Sequence, residues 1–472
     1  MAGLIGPCDA NTIAKDEPVV TTEIAMHLKY TRPERNPPKH PQAPTDFIAD
    51  SDTTLGYAEA GSSADPAVLS IDDKRRPSRL AICMMLGSAA LAACNGDDYN
   101  GSAADPAPPN TILTLASNVE LTSTVAPNGD LNPYFITTPP SSFTGINSTT
   151  GAKTVLQPGD LLISDFSSAA GGNNGTSIMR YTPATGQISL FYQENIGSGP
   201  VGGAISGMGT LWIANFQPGY TNSADGATTG DGNIVVTNAD GGDFPEGAGI
   251  IDDRSGVTFD PQANAFSGPW GQVLAVKAGT NTPFFFTTNT DAGAGTIQRQ
   301  EFKPGNFSTE TVVTIGEAPT GTNAFDPTGP QGMAYDAVND ILYVTDAASN
   351  QILAFMNATT SNSISQAIVV YEGLPLNAPI GLALNPLNGD LITVNQLDNN
   401  MVEIDPNLTG NAGTQSPGVG TVVAVRSVDS TPVDAEAGTG SALFGVLATK
   451  DAEGNLTVYY TDSNTNSLNA LK

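Results

Sequence analysis

The sequence predicts an all-β fold: a six-bladed β-propeller of four-stranded antiparallel blades, closed by pairing of an N-terminal strand with the last blade. Three observations predict it. Two sequence marks, a Pro-x-Gly (complete in four copies, with the Pro or the Gly missing in two) and an apolar run ending in Asp or Asn, alternate in strict order, six times each. Thr, Val, Ile, Asn and Gly dominate after about Pro109, and long Ala/Leu/Glu/Lys stretches are absent, as many short strands and turns require. The last repeat is one strand short, and strand-like residues that belong to no repeat precede the first.

The chain opens with a segment, residues 1–73, that is rich in Pro and charge and has no hydrophobic periodicity. Such a composition cannot bury enough apolar surface to fold, so the segment is expected to be disordered. A secretory leader follows at residues 74–94. Lys74-Arg75-Arg76 and Arg79 form a basic cluster, Leu80 to Ala90 is a short apolar run, and Leu91-Ala92-Ala93-Cys94 supplies small residues before a Cys. That is the three-part plan of a signal peptide. The apolar stretch ends at Ala93, too short to cross a bilayer, which needs roughly 20 residues. Because a leader should begin a chain, translation is expected to start near Val68-Leu69. Pro77 and Ser78 directly after the Arg75-Arg76 pair argue against twin-arginine export.

The Leu-Ala-Ala-Cys box resembles the bacterial lipoprotein signal. The resemblance implies that the Cys94 thiol carries lipid and that the peptide before it is removed. Asn95 stands where an inner-membrane retention signal would place Asp, so the implied destination is the outer membrane, on the periplasmic side. Residues 95–110, rich in Gly, Ser, Pro and Asp, read as a flexible tether.

Residues 111–472 hold the repeats. The runs ending in Asp or Asn are Leu161 to Asp165, Leu211 to Asn215, Phe285 to Asn289, Leu342 to Asp346, Leu391 to Asn395 and Val458 to Asp462. Pro200-Val201-Gly202, Pro269-Trp270-Gly271, Pro330-Gln331-Gly332 and Pro379-Ile380-Gly381 each open a strand-like run; Leu443-Phe444-Gly445 lacks the Pro, and Pro133-Tyr134-Phe135 lacks the Gly. In the unit at Pro330 four strands are legible: Gly332 to Asp336, Ile341 to Thr345, Gln351 to Phe355 and Ala367 to Tyr371. A single such sheet leaves two edges and a bare face, and radial packing of several removes both problems. Gly in a strand marks close approach of another backbone, so the Pro-x-Gly strands are expected to crowd around the axis. Either Thr111 to Leu115 or Val119 to Thr122 is expected to supply the missing outer strand.

These marks resemble the NHL-type β-propeller repeat, most clearly at Pro330 and Pro379 and most faintly in the first and third units. More distantly the chain is similar to the gluconolactonase and senescence-marker propellers. That likeness implies a divalent cation held by Glu, Asn and Asp, with a Glu just before the first inner strand. The residues before Pro133, Pro200, Pro269, Pro330 and Pro379 are Asn, Gly, Gly, Gly and Ala, so the pattern is missing there.

Chemistry is bounded by what the chain lacks. Both His residues, His27 and His40, lie near the start, and the Cys are Cys8, Cys83 and Cys94. A Ser-His-Asp triad, a propeller site built on His, and a disulfide beyond Cys94 are therefore excluded. Beyond Cys94 there are 9 Lys and Arg against 35 Asp and Glu. Such a surface repels nucleic acid and keeps a protein soluble and monomeric. Oxygen donors crowd glycine turns at Asp231, Asn233, Asp240 and Asp243, a weak candidate for Ca2+, although the spacing lacks the Glu of an EF-hand loop. The strand-ending Asp and Asn residues are expected to cap turns by accepting backbone hydrogen bonds. Trp270, at the mouth of an inner strand, is a candidate ligand platform or a packing residue. The favoured reading is a lipid-anchored binding or scaffold module for a protein or carbohydrate partner. The alternative is a metal-dependent hydrolase of the gluconolactonase type.

Overall fold

The computed structural model describes residues 109–140, 156–172, 174–193, 199–207, 210–216, 220–221, 228–229, 232–237, 250–251, 266, 268–290, 295–303, 306–316, 329–360, 367–408, 418–434 and 439–472. Every regular element among them is a strand, and six sheets have four strands each. From the axis outward, blade 1 is Leu131–Thr137, Leu161–Ser167, Ser177–Thr182 and Gln187–Gln193. Blade 2 is Pro200–Ile205, Leu211–Asn215, Asn233–Thr237 and Ile250–Ile251. Blade 3 is Pro269–Ala275, Phe284–Asn289, Gly295–Lys303 and Asn306–Gly316. Blade 4 is Pro330–Asp336, Ile341–Asp346, Gln351–Met356 and Ile368–Glu372. Blade 5 is Pro379–Leu384, Leu391–Asn395, Asn400–Asp405 and Thr421–Ser427. Blade 6 takes Leu443–Lys450, Leu456–Asp462 and Ser467–Leu471 from the chain end, and Asn118–Ser123 from its start.

The closure is therefore made by the second of the two strand candidates. Asn118–Ser123 pairs antiparallel with Ser467–Leu471, Val119 opposite Ala470. Tyr460 donates its hydroxyl to Asn118 Oδ1 at 2.7 Å. Thr111 to Leu115 forms a turn rather than a strand. Its Ile112 is fully buried in the core between blades 5 and 6, and the Ile112 N–H donates to Glu403 Oε2 at 2.8 Å. A short apolar run bordered by Pro cannot be told from a strand by periodicity alone.

Six apolar clusters lie between successive blades, one at each interface, and a seventh lies at the axis. Each joins side chains of two neighbouring sheets; Phe286 and Val313 of blade 3, for example, pack with Leu342 and Phe355 of blade 4. Stability is thus shared around the ring instead of residing in any blade.

The inner strands approach one another as the glycine marks require. In every blade the pairing of first and second strands slips just after the Pro-x-Gly start, as at Pro330/Met333. The resulting bulge turns backbone toward the neighbouring blade. A Cβ on Gly332 would lie 2.0 Å from the Ile380 carbonyl oxygen, and one on Gly202, Gly271, Gly381 or Gly445 would strike the next blade's backbone equally hard. Blade 1 has Phe135 in place of this glycine. Room is made by Gly203 of blade 2, where a Cβ would sit 2.6 Å from the Phe135 ring.

Two stability outcomes follow. Gly332→Ala should destabilise the protein by about 3 kcal/mol or more, because rigid backbone stands in the way. Gly389→Ala, with φ +86 and no atom within 4 Å of its Cβ, should cost only about 1 kcal/mol of backbone strain. Urea titration of both variants checks the contrast. Replacing Asn118–Ser123 by a Gly/Ser linker should abolish the single cooperative transition, since it reopens an edge on blade 6; an unchanged transition would show that the ring does not need that strand.

Candidate functional site

The axis is the place where all six blades converge, and its chemistry follows from the inner strands. At the Pro-x-Gly end the six x positions are Tyr134, Val201, Trp270, Gln331, Ile380 and Phe444. Five are apolar or aromatic and pack together with Phe166 and Phe216. Tyr134 stacks on Phe444 with ring centroids 3.9 Å apart and meets Phe166 at 4.4 Å. Burial raises the Tyr134 hydroxyl above its ordinary value. Trp270 is held between Tyr134 at 5.7 Å and Phe216 at 5.2 Å. Both roles considered for Trp270 are compatible with this position: it packs in the axial plug, and it lines an axial cavity of about 80 Å³.

Behind the plug a set of threonines ties blade to blade. Thr288 Oγ1 accepts from the Gly271 N–H at 2.8 Å and donates to the Gln331 carbonyl of blade 4 at 2.8 Å. Thr345 does the same between Gly332 and Ile380 of blade 5. Thr461 does it between Gly445 and Tyr134, across the seam from blade 6 to blade 1. Ser164 accepts the Phe135 N–H in blade 1. Blades 2 and 5 carry Ala214 and Val394 at this position and lack the hydroxyl. Sequence reading passed over this residue, although the Thr directly before Asp or Asn in three repeats was the available signal.

The strand-ending Asp and Asn residues are all buried, and each faces the residue that opens its blade's Pro-x-Gly mark, Pro133 in blade 1 and Leu443 in blade 6 included. The backbone-capping role expected for them holds in blade 6, where Asp462 Oδ1 accepts from the N–H groups of Asn464 and Thr465. It is not the general arrangement. Asp346 accepts from the Gln351 side chain, and Asn395 donates to the Pro375 carbonyl. The turn is fastened by backbone instead: the N–H after the Asp or Asn donates to the carbonyl of the residue before the Pro, as Ala347 to Gly329 and Gln396 to Ala378. Those pre-Pro residues all adopt positive φ, between 53 and 67 at Asn132, Gly199, Gly268, Gly329 and Ala378. Left-handed backbone favours Gly and Asn, which is a physical reason why no Glu occupies these positions.

Asp165 stands apart. It is fully buried, and neither carboxyl oxygen makes a hydrogen bond. Burial, then the charge of Asp130, push its pKa up to about 8, and the nearby Thr124 hydroxyl draws it only partly back. Asp130 is itself well served, accepting from Thr176 N–H and from the Ser177 and Asn128 side chains. Asp340, at the start of the second strand of blade 4, shows the opposite balance. Burial raises it, but the Thr359 backbone and side chain, Tyr335 and Thr360 outweigh that and hold it low, and Lys277 lies 3.4 Å away.

Of the weak cation candidates, Asn233 is buried and accepts from Asn215 Nδ2 at 2.9 Å, so its oxygen is already engaged. Asp231, Asp240, Asp243 and Cys94 lie outside the described residues. Among the described residues no group of three or more His, Cys, Asp or Glu is placed to hold a metal ion.

No family model matches the chain, and no curated protein matches it. Solved structures do resemble it. A gluconolactonase from Xanthomonas campestris is 12% identical, over 75% of this chain and 88% of that one, with a TM-score of 0.42. A putative glucose dehydrogenase from Thermus thermophilus is 15% identical over 75% and 99%, with a TM-score of 0.41. A catalytically inactive virginiamycin B lyase from Staphylococcus aureus is 14% identical over 75% and 98%, with a TM-score of 0.37. At these values no residue's role passes from those proteins to this one.

Asp165 makes a pH signature. Its folded pKa lies above its unfolded one, near 3.9, so the folded state holds a proton that the unfolded state releases between about pH 4 and 8. Its contribution is fully favourable below pH 4 and is lost as pH rises through 8. Asp165→Asn, which copies the residue of blades 2, 3 and 5, should remove that loss and stabilise the protein at pH 8 by about 1–3 kcal/mol. Urea titrations at pH 5 and pH 8 measure it; a variant weaker than the native protein at pH 8 would contradict the assignment.

Proposed function

We propose that this chain is a lipid-anchored, extracytoplasmic binding module, tethered through Cys94 and presenting its propeller to a protein or carbohydrate partner at the outer membrane. The observation that supports this most is the character of the axis. Tyr134, Val201, Trp270, Ile380 and Phe444 fill the mouth where loops from every blade converge. Catalysis through a bound cation needs hard oxygen ligands gathered on an accessible site; an aromatic plug offers packing instead. Of the carboxylates that end the second strands, Asp462 and Asp346 accept hydrogen bonds within their own blades, and Asp165 is fully buried. A propeller without a catalytic axis retains its rim of loops as a recognition surface.

The strongly acidic composition fits that reading. It keeps the domain off anionic headgroups while lipid holds it near the membrane, and it disfavours nucleic acid as a partner. Anchoring by one lipidated residue, with a Gly/Ser/Pro/Asp tether behind it, leaves the propeller free to orient toward its partner.

Cys94→Ser should move the protein from the membrane pellet to the soluble fraction and abolish incorporation of radiolabelled palmitate. A native protein that takes up no label would remove the anchor. The purified protein should not hydrolyse simple lactones with Ca2+, Mg2+ or Zn2+ added; metal-dependent turnover above background would favour the hydrolase reading instead.

A further inference from the structure

The chain enters the propeller at the end away from the plugged mouth. Each inner strand starts at the mouth, and antiparallel pairing then reverses direction from strand to strand, as in blade 4. Turns between first and second strands, and between third and fourth, therefore lie at the opposite end. Asn385 and Asn388 belong to such a turn in blade 5, and both donate from Nδ2 to the Asn110 carbonyl, Asn385 at 2.9 Å. Ile112 is fully buried with its N–H on Glu403. Arg426 donates to the carbonyls of Ile112 and Leu115. The chain is thus fixed at the opposite end from Asn110 onward, before the closing strand begins.

Charge divides along the same direction. Among the described residues no Lys or Arg lies in a turn at the mouth. Lys277 follows a first strand and Lys450 ends one; Lys303 ends a third strand and Lys472 follows one. All four therefore stand at the opposite end, and Lys450 and Lys472 are exposed there. Arg180 and Arg299 are committed to Asp160 and Glu310. The mouth turns carry an exposed Glu372 and half-buried Asp398 and Asp429. The opposite end has carboxylates too, Asp336, Asp451 and Glu453 among them, but there they stand among lysines.

We propose that the end opposite the plug is the membrane-facing surface of the propeller: its lysines face anionic phospholipid headgroups, and the aromatic mouth is turned outward to the partner. This rests on the anchored-module reading and adds to it which end receives the partner. Residues 95–109 separate Cys94 from Asn110, and a flexible stretch of that length spans about 20 Å root-mean-square. A blade is as tall as that: the eight residues of Leu443–Lys450 cover roughly 25 Å at the rise of a strand. With the mouth toward the bilayer, the tether would have to run the height of a blade to reach Asn110, and acidic turns would meet headgroups of like charge. With the opposite end down, neither cost arises. The acidic composition acts most at the mouth, so it turns the tethered domain instead of lifting it away. Screening confines the effect to about 8 Å, a range that a tether fixed at this end brings within reach of the lysines.

The orientation can be read without cellular lipidation. The mature chain with Cys94→Ser and an N-terminal hexahistidine tag is held on nickel-chelating lipid in vesicles of phosphatidylcholine and phosphatidylglycerol. Cys8 and Cys83 precede it, so it has no other thiol. Val338→Cys and Ser349→Cys, in exposed positions of turns at the two ends of blade 4, each carry a dye in turn. Energy transfer to a headgroup-labelled lipid then reports which end lies nearer the bilayer. At low salt, transfer from residue 338 should exceed that from residue 349 at least about twofold, and molar salt should narrow the difference. Lys450→Glu with Lys472→Glu should narrow it as well. Equal transfer, greater transfer from residue 349, or a difference that neither salt nor charge reversal narrows would overturn the proposal. Failure of the anchor itself shows separately, as absence of lipid label on Cys94 in cells, and leaves this measurement intact.

Discussion

The structure depends on the contact, made in five of the six blades, between the inner strand's glycine and the carbonyl of the strand beside it. Where Gly332 meets the Ile380 oxygen there is no room for a methyl group, so two backbones touch directly. Thr345 then fastens the same spot by bonding Gly332 on its own blade and Ile380 on the next. In blades 3, 4 and 6 this clamp brings polar backbone into an apolar centre and satisfies it there, as buried polar groups must be. The slip in pairing that begins every blade, the positive φ before each Pro and the small residues near the axis all serve that approach. The outer strands complete each sheet, and the interblade clusters fill the space that the approach defines.

The seam is where a ring made from one chain is weakest, and three kinds of interaction meet there. Asn118–Ser123 adds backbone pairing to blade 6. Thr461 crosses to the Tyr134 carbonyl of blade 1 at 3.0 Å. Asn466 binds both sides: its carbonyl accepts from Thr124, and its side chain accepts the Asn132 N–H at 2.8 Å. Asp165 sits in the same neighbourhood with an orphaned carboxyl. Burial and Asp130 raise its pKa, so a proton on Asp165 favours the folded state.

Much of this was legible in the residues. The alternation of two marks fixes the blade count, and the short last unit implies closure from the N-terminus. What could not be read was the environment that distinguishes like from like. Asp165, Asp346 and Asp462 occupy one repeat position, yet only Asp165 lies against Asp130, which is contributed by the segment before blade 1. The threonine clamp was hidden because Thr in a strand is already explained by β propensity. Trp270 lies at the axis, and its surroundings show it built into the aromatic plug.

The central claim is that the six blades form one closed unit, locked at the axis and sealed by the N-terminal strand. Native-state hydrogen exchange tests it most directly. The amides of Gly271, Gly332 and Gly445, which donate to the threonine hydroxyls, and those of Val119 and Leu121 in the closing strand should exchange only through global unfolding, with one shared free energy and one denaturant dependence. Exchange of the closing-strand amides through a separate, low-energy opening, while the axial glycines stay protected, would contradict a ring whose closure and core are the same event.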